Sequence, residues 1–160
     1  MAKKYIIGID QSTQGTKALL FDEIGSLVKR FDLPHEQKIS REGWVSHDPS
    51  EIYKNTVGVI EGLLKEAGVS PADIEAIGIS NQRETTVIWD KVTGEPLADA
   101  IVWQCARAAE ICERESIKSA SELVMQRTGI RLSPYFPAAK AAWFMENVPG
   151  SRAKPEKVDL

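Results

Sequence analysis

Residues 80–86, which read Ser-Asn-Gln-Arg-Glu-Thr-Thr, bring together the groups best suited to binding a small polar substrate. They follow an apolar run, residues 74–79, that has the composition of a strand. In α/β proteins ligands bind outside the carboxyl ends of rigid, buried strands, and this run is expected to be such a strand. Arg83 offers a forked donor, and Glu84 offers a carboxylate that only accepts. Such a pair can hold two neighbouring hydroxyls, although a surface Arg and Glu capping a strand would have the same sequence.

A second polar segment separates two strand-like runs near the start of the chain. Residues 5–10 and 17–22 are rich in β-branched and aromatic side chains, and residues 11–16 between them are typical of a tight hairpin turn. The backbone N–H groups of this loop could surround an anion, together with the hydroxyls of Ser12, Thr13 and Thr16. An ordinary hairpin turn would have the same composition.

Two charged residues flank this loop. Asp10 ends the first strand, where a carboxylate can hold hydrated Mg²⁺ beside a phosphate. Lys17 adds a positive charge on the other side. Neither a Walker loop nor a Gly-x-Gly-x-x-Gly dinucleotide fingerprint occurs in the chain, so the segment belongs to neither of those nucleotide-binding classes.

Five segments occur in the same order as in the FGGY family of carbohydrate kinases, which the chain resembles from Tyr5 to about Val148. They are residues 7–13 (Ile-Gly-Ile-Asp-Gln-Ser-Thr), 81–86 (Asn-Gln-Arg-Glu-Thr-Thr), 101–105 (Ile-Val-Trp-Gln-Cys), 109–113 (Ala-Glu-Ile-Cys-Glu) and 133–136 (Ser-Pro-Tyr-Phe). Five motifs in the right order are far more specific than any one of them.

The resemblance implies an activity and a set of site residues. The activity is ATP-dependent phosphorylation of a primary hydroxyl of glycerol or a related polyol, with ATP and Mg²⁺ as cofactors. The polyol would be bound by Arg83, Glu84, Trp103 and Tyr135. The ATP phosphates would face Thr13, Gln14, Gly15 and Lys17, and Asp10 would help to hold the metal. The family's general base is an Asp beyond Leu160, so no catalytic residue is assigned within the chain.

Two departures from the family pattern leave the substrate open. Family members that act on glycerol usually read Gly-Thr-Thr-Ser-Ser-Arg where residues 12–17 read Ser-Thr-Gln-Gly-Thr-Lys, and lysine lacks the bidentate fork of arginine. Residues 137–140 read Pro-Ala-Ala-Lys, which looks more like the sugar kinases of the family. A kinase for a ketose or pentitol such as xylulose is therefore an alternative. A non-catalytic actin-like binding module is another, with Arg83 and Glu84 as a structural ion pair.

Composition sets outer limits on the function. The 160 residues are 42% hydrophobic and 27% charged, as expected for a soluble globular protein. A net charge of −3 with scattered basic residues gives no electrostatic case for nucleic acid or a membrane surface. Residues 1–4 are basic but are not followed by a signal-peptide apolar region. We expect a cytoplasmic protein that forms a homo-oligomer at full length, with a polyol or sugar and ATP as its small-molecule partners.

The two cysteines are predicted to be reduced and buried. Cys105 and Cys112 are seven positions apart on a predicted helix, which separates their Cα atoms by about 10 Å. That distance is too long for a disulfide. Neither cysteine makes a recognisable metal-binding spacing with His35 or His47.

The order of the elements predicts an α/β protein with a mixed sheet and flanking helices. An antiparallel meander comes first, and a helix at 49–67 then begins at a capping box of Asp48 and Glu51. The strands are predicted at 5–10, 16–22, 27–33, 74–79, 85–90 and a short run ending near Trp103. The remaining helices are predicted at 106–116, 120–128 and 137–147, with Trp89, Trp143 and Phe144 in the core.

The resemblance places this order in the ribonuclease-H-like, actin-like ATPase fold. Chains of the family are much longer than this one and contain two domains of that fold. Residues 1–160 are therefore expected to be the N-terminal, substrate-side domain, incomplete and inactive alone, without the second, nucleotide-binding domain. The polar tail from Ser151 to Leu160 agrees with that expectation.

Overall fold

The computed structural model describes residues 4–151, and these fall into two units. The chain passes between the units after Gln37, Ser46 and Arg83. The first unit therefore ends at Arg83 and the second resumes at Glu84. The predictions for the basic N-terminus and for the polar tail lie outside the described residues, apart from Lys4 and Ser151.

The first unit contains the predicted mixed sheet. Strands β1 (Tyr5–Gln11), β2 (Gly15–Phe21) and β3 (Leu27–Pro34) form an antiparallel meander, as their short connections predict. Strand β6 (Ile74–Asn81) pairs with β1 in parallel, so the order is β3-β2-β1-β6. A parallel pair needs a long crossover, and the segment that contains the first helix supplies it.

Helix α1 spans Pro49–Ala67, the range predicted from sequence. Asp48 caps it, with Oδ1 accepting from the N–H of Ser50 at 2.8 Å, and Gly68 ends it in the left-handed region at φ 64°. The other half of the predicted capping box is wrong. The carboxylate of Glu51 accepts instead from the backbone N–H of Glu36, at 3.2 Å to each oxygen, and so ties the loop after β3 to the helix.

Helix α1 covers one face of the sheet. The buried core between them consists of Ile7, Ile9, Ala18, Leu20, Val59 and Leu63. Strand β6 was expected to be buried, but this is wrong: Ile77 is 49% exposed and Ile79 is 65% exposed. In the described part of the chain β6 is the edge of the sheet, and α1 packs mainly on β1, β2 and β3.

The second unit is held by a small sheet and a group of helices. The sheet consists of β4 (Lys38–Ile39), β5 (Val45–His47) and β7 (Ala100–Ile101) in the order β4-β5-β7. The strand predicted at 85–90 is wrong, because this stretch forms only two isolated bridges, Thr86 with Ile101 and Trp89 with Pro96. Trp89 was predicted to be in the core, but it is 61% exposed.

The helix predicted at 106–116 is interrupted. Arg114 adopts an extended conformation (φ −63°, ψ 134°) that separates α2 (Ala109–Glu113) from α3 (Glu115–Lys118). The guanidinium of Arg114 binds the carboxylate of Glu146 through two bonds of 2.6 and 2.7 Å. The later helices agree with their predictions: they are α4 (Ser121–Thr128), which Gly129 ends, and α5 (Pro137–Asn147).

Aromatic and aliphatic side chains build the core of the second unit. Its main cluster contains Val45, Ile101, Val102, Cys105 and Phe144, and Trp143 packs against it, which confirms the core prediction for Trp143 and Phe144. Both cysteines are free thiols and buried, as predicted, although Cys105 lies ahead of α2 rather than on it. No helix in residues 4–151 has both the length and the apolar composition that crossing a bilayer requires.

Candidate functional site

The predicted phosphate-facing loop is the turn between β1 and β2, and the structure divides its polar groups into two sets. Ser12 uses both its N–H and its hydroxyl to donate to the carbonyl of Gly15, each at 2.9 Å. Thr16 is fully buried, with Oγ1 at 2.9 Å from Nε2 of His35. The expectation that these two hydroxyls face an anion is therefore wrong. Gln14 is exposed and Thr13 half-buried, so these two residues form the outer surface of the loop.

Asp10 and Lys17 lie directly opposite each other on β1 and β2. The Nζ atom of Lys17 is 3.1 Å from Oδ2 of Asp10, and both side chains are more than a third exposed. An exposed pair of this kind contributes little to stability, so either group can turn to a ligand at small cost. Within residues 4–151 no three His, Cys, Asp or Glu side chains cluster around a possible metal. A single carboxylate such as that of Asp10 is enough for Mg²⁺, because this ion keeps several waters and binds through one or two carboxylates and substrate phosphates.

Gly15 fixes the loop against the end of β3. A Cβ atom at this position would stand 2.6 Å from the carbonyl oxygen of Leu33 and 3.1 Å from the Cα atom of Pro34. Both neighbours are backbone atoms, so only a residue without a side chain allows this approach.

Gly15→Ala should therefore destabilise the chain by roughly 1–3 kcal/mol, the usual cost of forcing an extra methyl group into a packed site. Urea unfolding followed by circular dichroism measures the change. Gly78→Ala in β6 is the matched control, because a Cβ there meets nothing within 4 Å. Equal stabilities for the two variants would show that the loop is not pressed against β3.

His35 fixes the β1–β2 loop through its backbone and its ring. Its backbone N–H donates to the carbonyl of Gln14 at 3.0 Å, and Nε2 of its ring contacts Thr16. Nδ1 lies 3.0 Å from Nδ2 of Asn55, which also donates to the carbonyl of Pro34 at 2.8 Å. Nε2 also lies 3.4 Å from the side-chain amide nitrogen of Gln11. The loop is thus connected through His35 to helix α1.

His47 extends this buried network. It is fully buried, and its ring centre is 6.0 Å from that of His35. Nδ1 is 3.4 Å from Nε2 of Gln82, whereas Nε2 has no hydrogen-bond partner. Burial lowers the pKa of both histidines, the charge of His35 lowers the pKa of His47 further, and the carboxylate of Glu51 raises both. Both rings are therefore neutral near pH 7.

Acid should destabilise the first unit through these rings. The unfolded chain takes up protons first as the pH falls below 6.5, since the folded-state pKa values lie below that reference value. The contribution of the two neutral rings to the free energy of unfolding is therefore complete above pH 6.5 and is lost progressively below it. Thermal unfolding at about pH 7.5 and about pH 5.5 should give a lower midpoint at the acidic pH. Replacing both histidines by glutamine should narrow the gap, and an unchanged gap would assign it to other groups.

Glu84 stands out in the second unit because of its backbone. Its φ of 65° makes it the one non-glycine residue with positive φ in residues 4–151. A side chain in this region is strained, and proteins keep such strain mainly where the residue has a function. Arg83, the last residue of the first unit, is exposed.

Trp103 and Tyr135 are brought together by the structure. Their ring centres are 6.0 Å apart with planes at 66°, and the ring of Phe136 packs edge-on against Tyr135 at 5.1 Å. The backbone N–H of Trp103 donates to Oγ1 of Thr85 at 3.2 Å, and Thr85 is the residue after Glu84. Tyr135 is 41% exposed and Trp103 is half-buried. The pair forms an aromatic surface, open on one side, that suits the carbon face of a polyol.

Lys140 was not recognised as a site residue from the sequence. It is fully buried, its Nζ atom donates to the carbonyl oxygen of Tyr135, and that atom lies 5.8 Å from the centre of the Tyr135 ring. Burial lowers the pKa of Lys140, and the carboxylate of Glu84 opposes that shift. One sequence signal was available: a lysine at the start of an alanine-rich helix is unfavourable beside the positive end of the helix dipole.

The chain is similar to a known protein family over most of its length. The model of the FGGY family of carbohydrate kinases, N-terminal domain, matches residues 5–160. Glycerol kinase 1 of Thermotoga maritima is 42% identical over 156 residues, and glycerol kinase 2 of the same organism is 46% identical over 157 residues. Each of these alignments covers 98% of this chain and 32% of the relative.

Two solved structures are similar to the chain. A glycerol kinase of Plasmodium falciparum, solved with ADP, has a TM-score of 0.82 at 39% identity. The match covers 93% of this chain and 30% of that kinase. A gluconate kinase of Lactobacillus acidophilus has a TM-score of 0.80 at 25% identity, and the match covers 91% of this chain and 29% of that kinase.

The chain belongs to the FGGY family of carbohydrate kinases, and it matches the N-terminal domain of that family. Its fold is the actin-like ATPase fold of these sugar kinases, with a mixed sheet and flanking helices. The chain spans about a third of the length of the curated relatives it matches.

Proposed function

We propose that the chain is the N-terminal, substrate-side domain of a cytoplasmic kinase that transfers phosphate from ATP to a primary hydroxyl of glycerol or a related polyol. The observation that carries the proposal is the open Trp103–Tyr135 surface beside a strained Glu84, in a domain 42–46% identical to glycerol kinases. The full-length kinase below means a protein that carries this chain together with the second domain.

The residues of the second unit are suited to hold the polyol. The carboxylate of Glu84 accepts hydrogen bonds from hydroxyls and donates none, which favours a polyol over an anionic group at this point. Trp103 supplies an apolar face for the carbon chain, and the Tyr135 hydroxyl can donate to a substrate oxygen. The polyol-binding role of Arg83 is proposed from its sequence motif alone.

The β1–β2 loop is suited to face the ATP phosphates. Thr13 and Gln14 lie on its outer surface, Gly15 allows its close approach to β3, and Lys17 supplies charge next to Asp10. Mg²⁺ bound near Asp10 would neutralise charge that develops on the transferred phosphoryl group. The likeness to a glycerol kinase solved with ADP supports nucleotide binding by the full-length kinase. The general base is not assigned to any residue of this chain.

A sugar kinase is the second candidate. The gluconate kinase of Lactobacillus acidophilus has nearly the same TM-score as the glycerol kinase of Plasmodium falciparum, and a xylulose kinase of Lactobacillus acidophilus reaches 0.79. Residues 137–140, Pro-Ala-Ala-Lys, also resemble the sugar kinases more than the glycerol kinases. Their sequence identity to this chain is lower, at 25%, so glycerol remains the substrate we favour.

A substrate panel separates the two candidates. ADP release by the full-length kinase should be measured on glycerol, erythritol, xylulose and gluconate. We expect kcat/KM for glycerol to exceed that for the five- and six-carbon substrates by at least about tenfold, the discrimination that a few misplaced groups produce. A preference for xylulose or gluconate would reject glycerol and keep the family.

A further inference from the structure

Lys140 is the most unusual charged group in the described part of the chain. It is 0% exposed, whereas lysines are almost never fully buried unless they are paired. It is also the fourth residue of α5, close to the positive end of the helix dipole. Both features oppose folding with a charged side chain, and a methionine would fill a similar volume without either cost. A buried lysine here is therefore a candidate for a role other than stability.

The contacts of Lys140 lead to the proposed polyol surface. Its Nζ atom donates to the carbonyl oxygen of Tyr135 and lies 5.8 Å from the centre of that ring, within cation–π range. The ring of Trp103 also packs against Tyr135, with the two ring centres 6.0 Å apart. Burial lowers the pKa of Lys140, and the negative charge of Glu84 opposes that shift. Lys140 thus contacts Tyr135 both at its backbone carbonyl and at its ring.

We propose that Lys140 is a positioning residue for polyol binding, which fixes Tyr135 through its backbone carbonyl and its ring. This inference rests on the proposed function, because it assigns Tyr135 to the substrate. It predicts a separation of effects: loss of the ammonium should harm substrate binding without harming the fold. A purely structural lysine would behave in the opposite way.

Three variants of the full-length kinase test this separation. Lys140→Met removes the charge, Lys140→Arg keeps charge and donors, and Lys118→Met is the control on an exposed lysine paired with Glu113. We expect Lys140→Met to raise KM for the polyol at least about tenfold, with KM for ATP unchanged and a melting temperature equal to or above that of the wild type. Lys140→Arg should recover part of the loss, and Lys118→Met should match the wild type.

Two results would overturn the inference. One is a Lys140→Met enzyme whose KM for the polyol stays within about twofold of the wild type. The other is a large fall in melting temperature with KM values for polyol and ATP raised together, since that pattern marks a structural role.

Failure of the proposed function itself is distinguishable. If the wild-type kinase phosphorylates neither glycerol nor a sugar, the proposed function is wrong, and NMR of the full-length kinase tests whether Lys140 positions Tyr135. Lys140→Met should then shift the Tyr135 ring and Trp103 indole resonances, and unchanged resonances would contradict a positioning role.

Discussion

Replacing Glu84 by alanine in the full-length kinase should lower kcat/KM for the polyol by about ten- to a hundredfold, because a hydrogen bond to a charged group is worth about 1.5–3 kcal/mol. In the proposed site the carboxylate accepts from a substrate hydroxyl, which an alanine side chain cannot do. Steady-state kinetics with glycerol as the varied substrate measure the loss. Glu84→Gln keeps one acceptor oxygen and should fall between the wild type and Glu84→Ala.

Glu84→Gly provides the matched control, because it removes the same carboxylate and also the strain. At φ 65° glycine is unstrained, so the glycine variant should exceed the alanine variant in free energy of unfolding by about 1 kcal/mol. Both variants should be equally impaired towards the polyol. An alanine variant with wild-type kcat/KM would remove Glu84 from the site. A glycine variant less stable than the alanine variant would contradict the strained backbone.

The 160-residue chain alone should show no measurable phosphoryl transfer. It carries one proposed phosphate-facing loop and the proposed polyol surface. Catalysis by positioning also needs the phosphate contacts of the second domain and the general base, all held together. The expected loss relative to the full-length kinase is therefore more than about a thousandfold. Phosphorylation of glycerol by the purified chain, assayed beside the full-length kinase at equal molarity, measures it.

The same preparation should associate or precipitate at high concentration. Strand β6 is a sheet edge in the described residues, with Ile77 and Ile79 exposed, and such edges favour pairing with other chains. Light scattering with and without Ile79→Lys checks this, since a charge at an edge strand discourages pairing.

The prediction of inactivity has its own contradicting outcome. Turnover by the purified chain close to that of the full-length kinase would show that residues 1–160 are a complete enzyme.

Local signals in the sequence were enough for most of the first unit. Runs rich in β-branched and aromatic residues, joined by short turns, predicted the meander of β1, β2 and β3, and Asp48 predicted the start of α1. These features depend on neighbours in the chain, so they can be recognised without knowing the fold.

Features that depend on distant contacts were missed. The exposure of β6 depends on which elements cover a sheet edge, and its composition carries no such information. Residues 85–90 have strand composition but find partners only at Ile101 and Pro96. The interruption at Arg114 accompanies an ion pair with Glu146, 32 positions away in the chain. Each of these errors has a tertiary cause.

The sequence indicated which residues could come together better than it indicated which way side chains point. Trp103 and Tyr135, 32 positions apart, were assigned together through the family resemblance, and the structure brings their rings into contact. The inward direction of Thr16 was missed although a signal was present. Thr16 precedes Ala18 and Leu20 by two and four positions, so it shares their face of β2, and both of those residues are fully buried. The burial of Lys140 was missed because it depends on tertiary packing.

The proposed reaction is tested most directly by identifying its product. The full-length kinase should be incubated with glycerol, ATP and Mg²⁺, and the phosphorus-containing products followed by ³¹P NMR. We expect ADP and a phosphate ester on a primary carbon of glycerol to appear in equal amounts, and the ester to be suppressed in Glu84→Ala. ATP that is hydrolysed only to free phosphate, or that is not consumed with any polyol or sugar, would contradict the assignment of this chain to a polyol kinase.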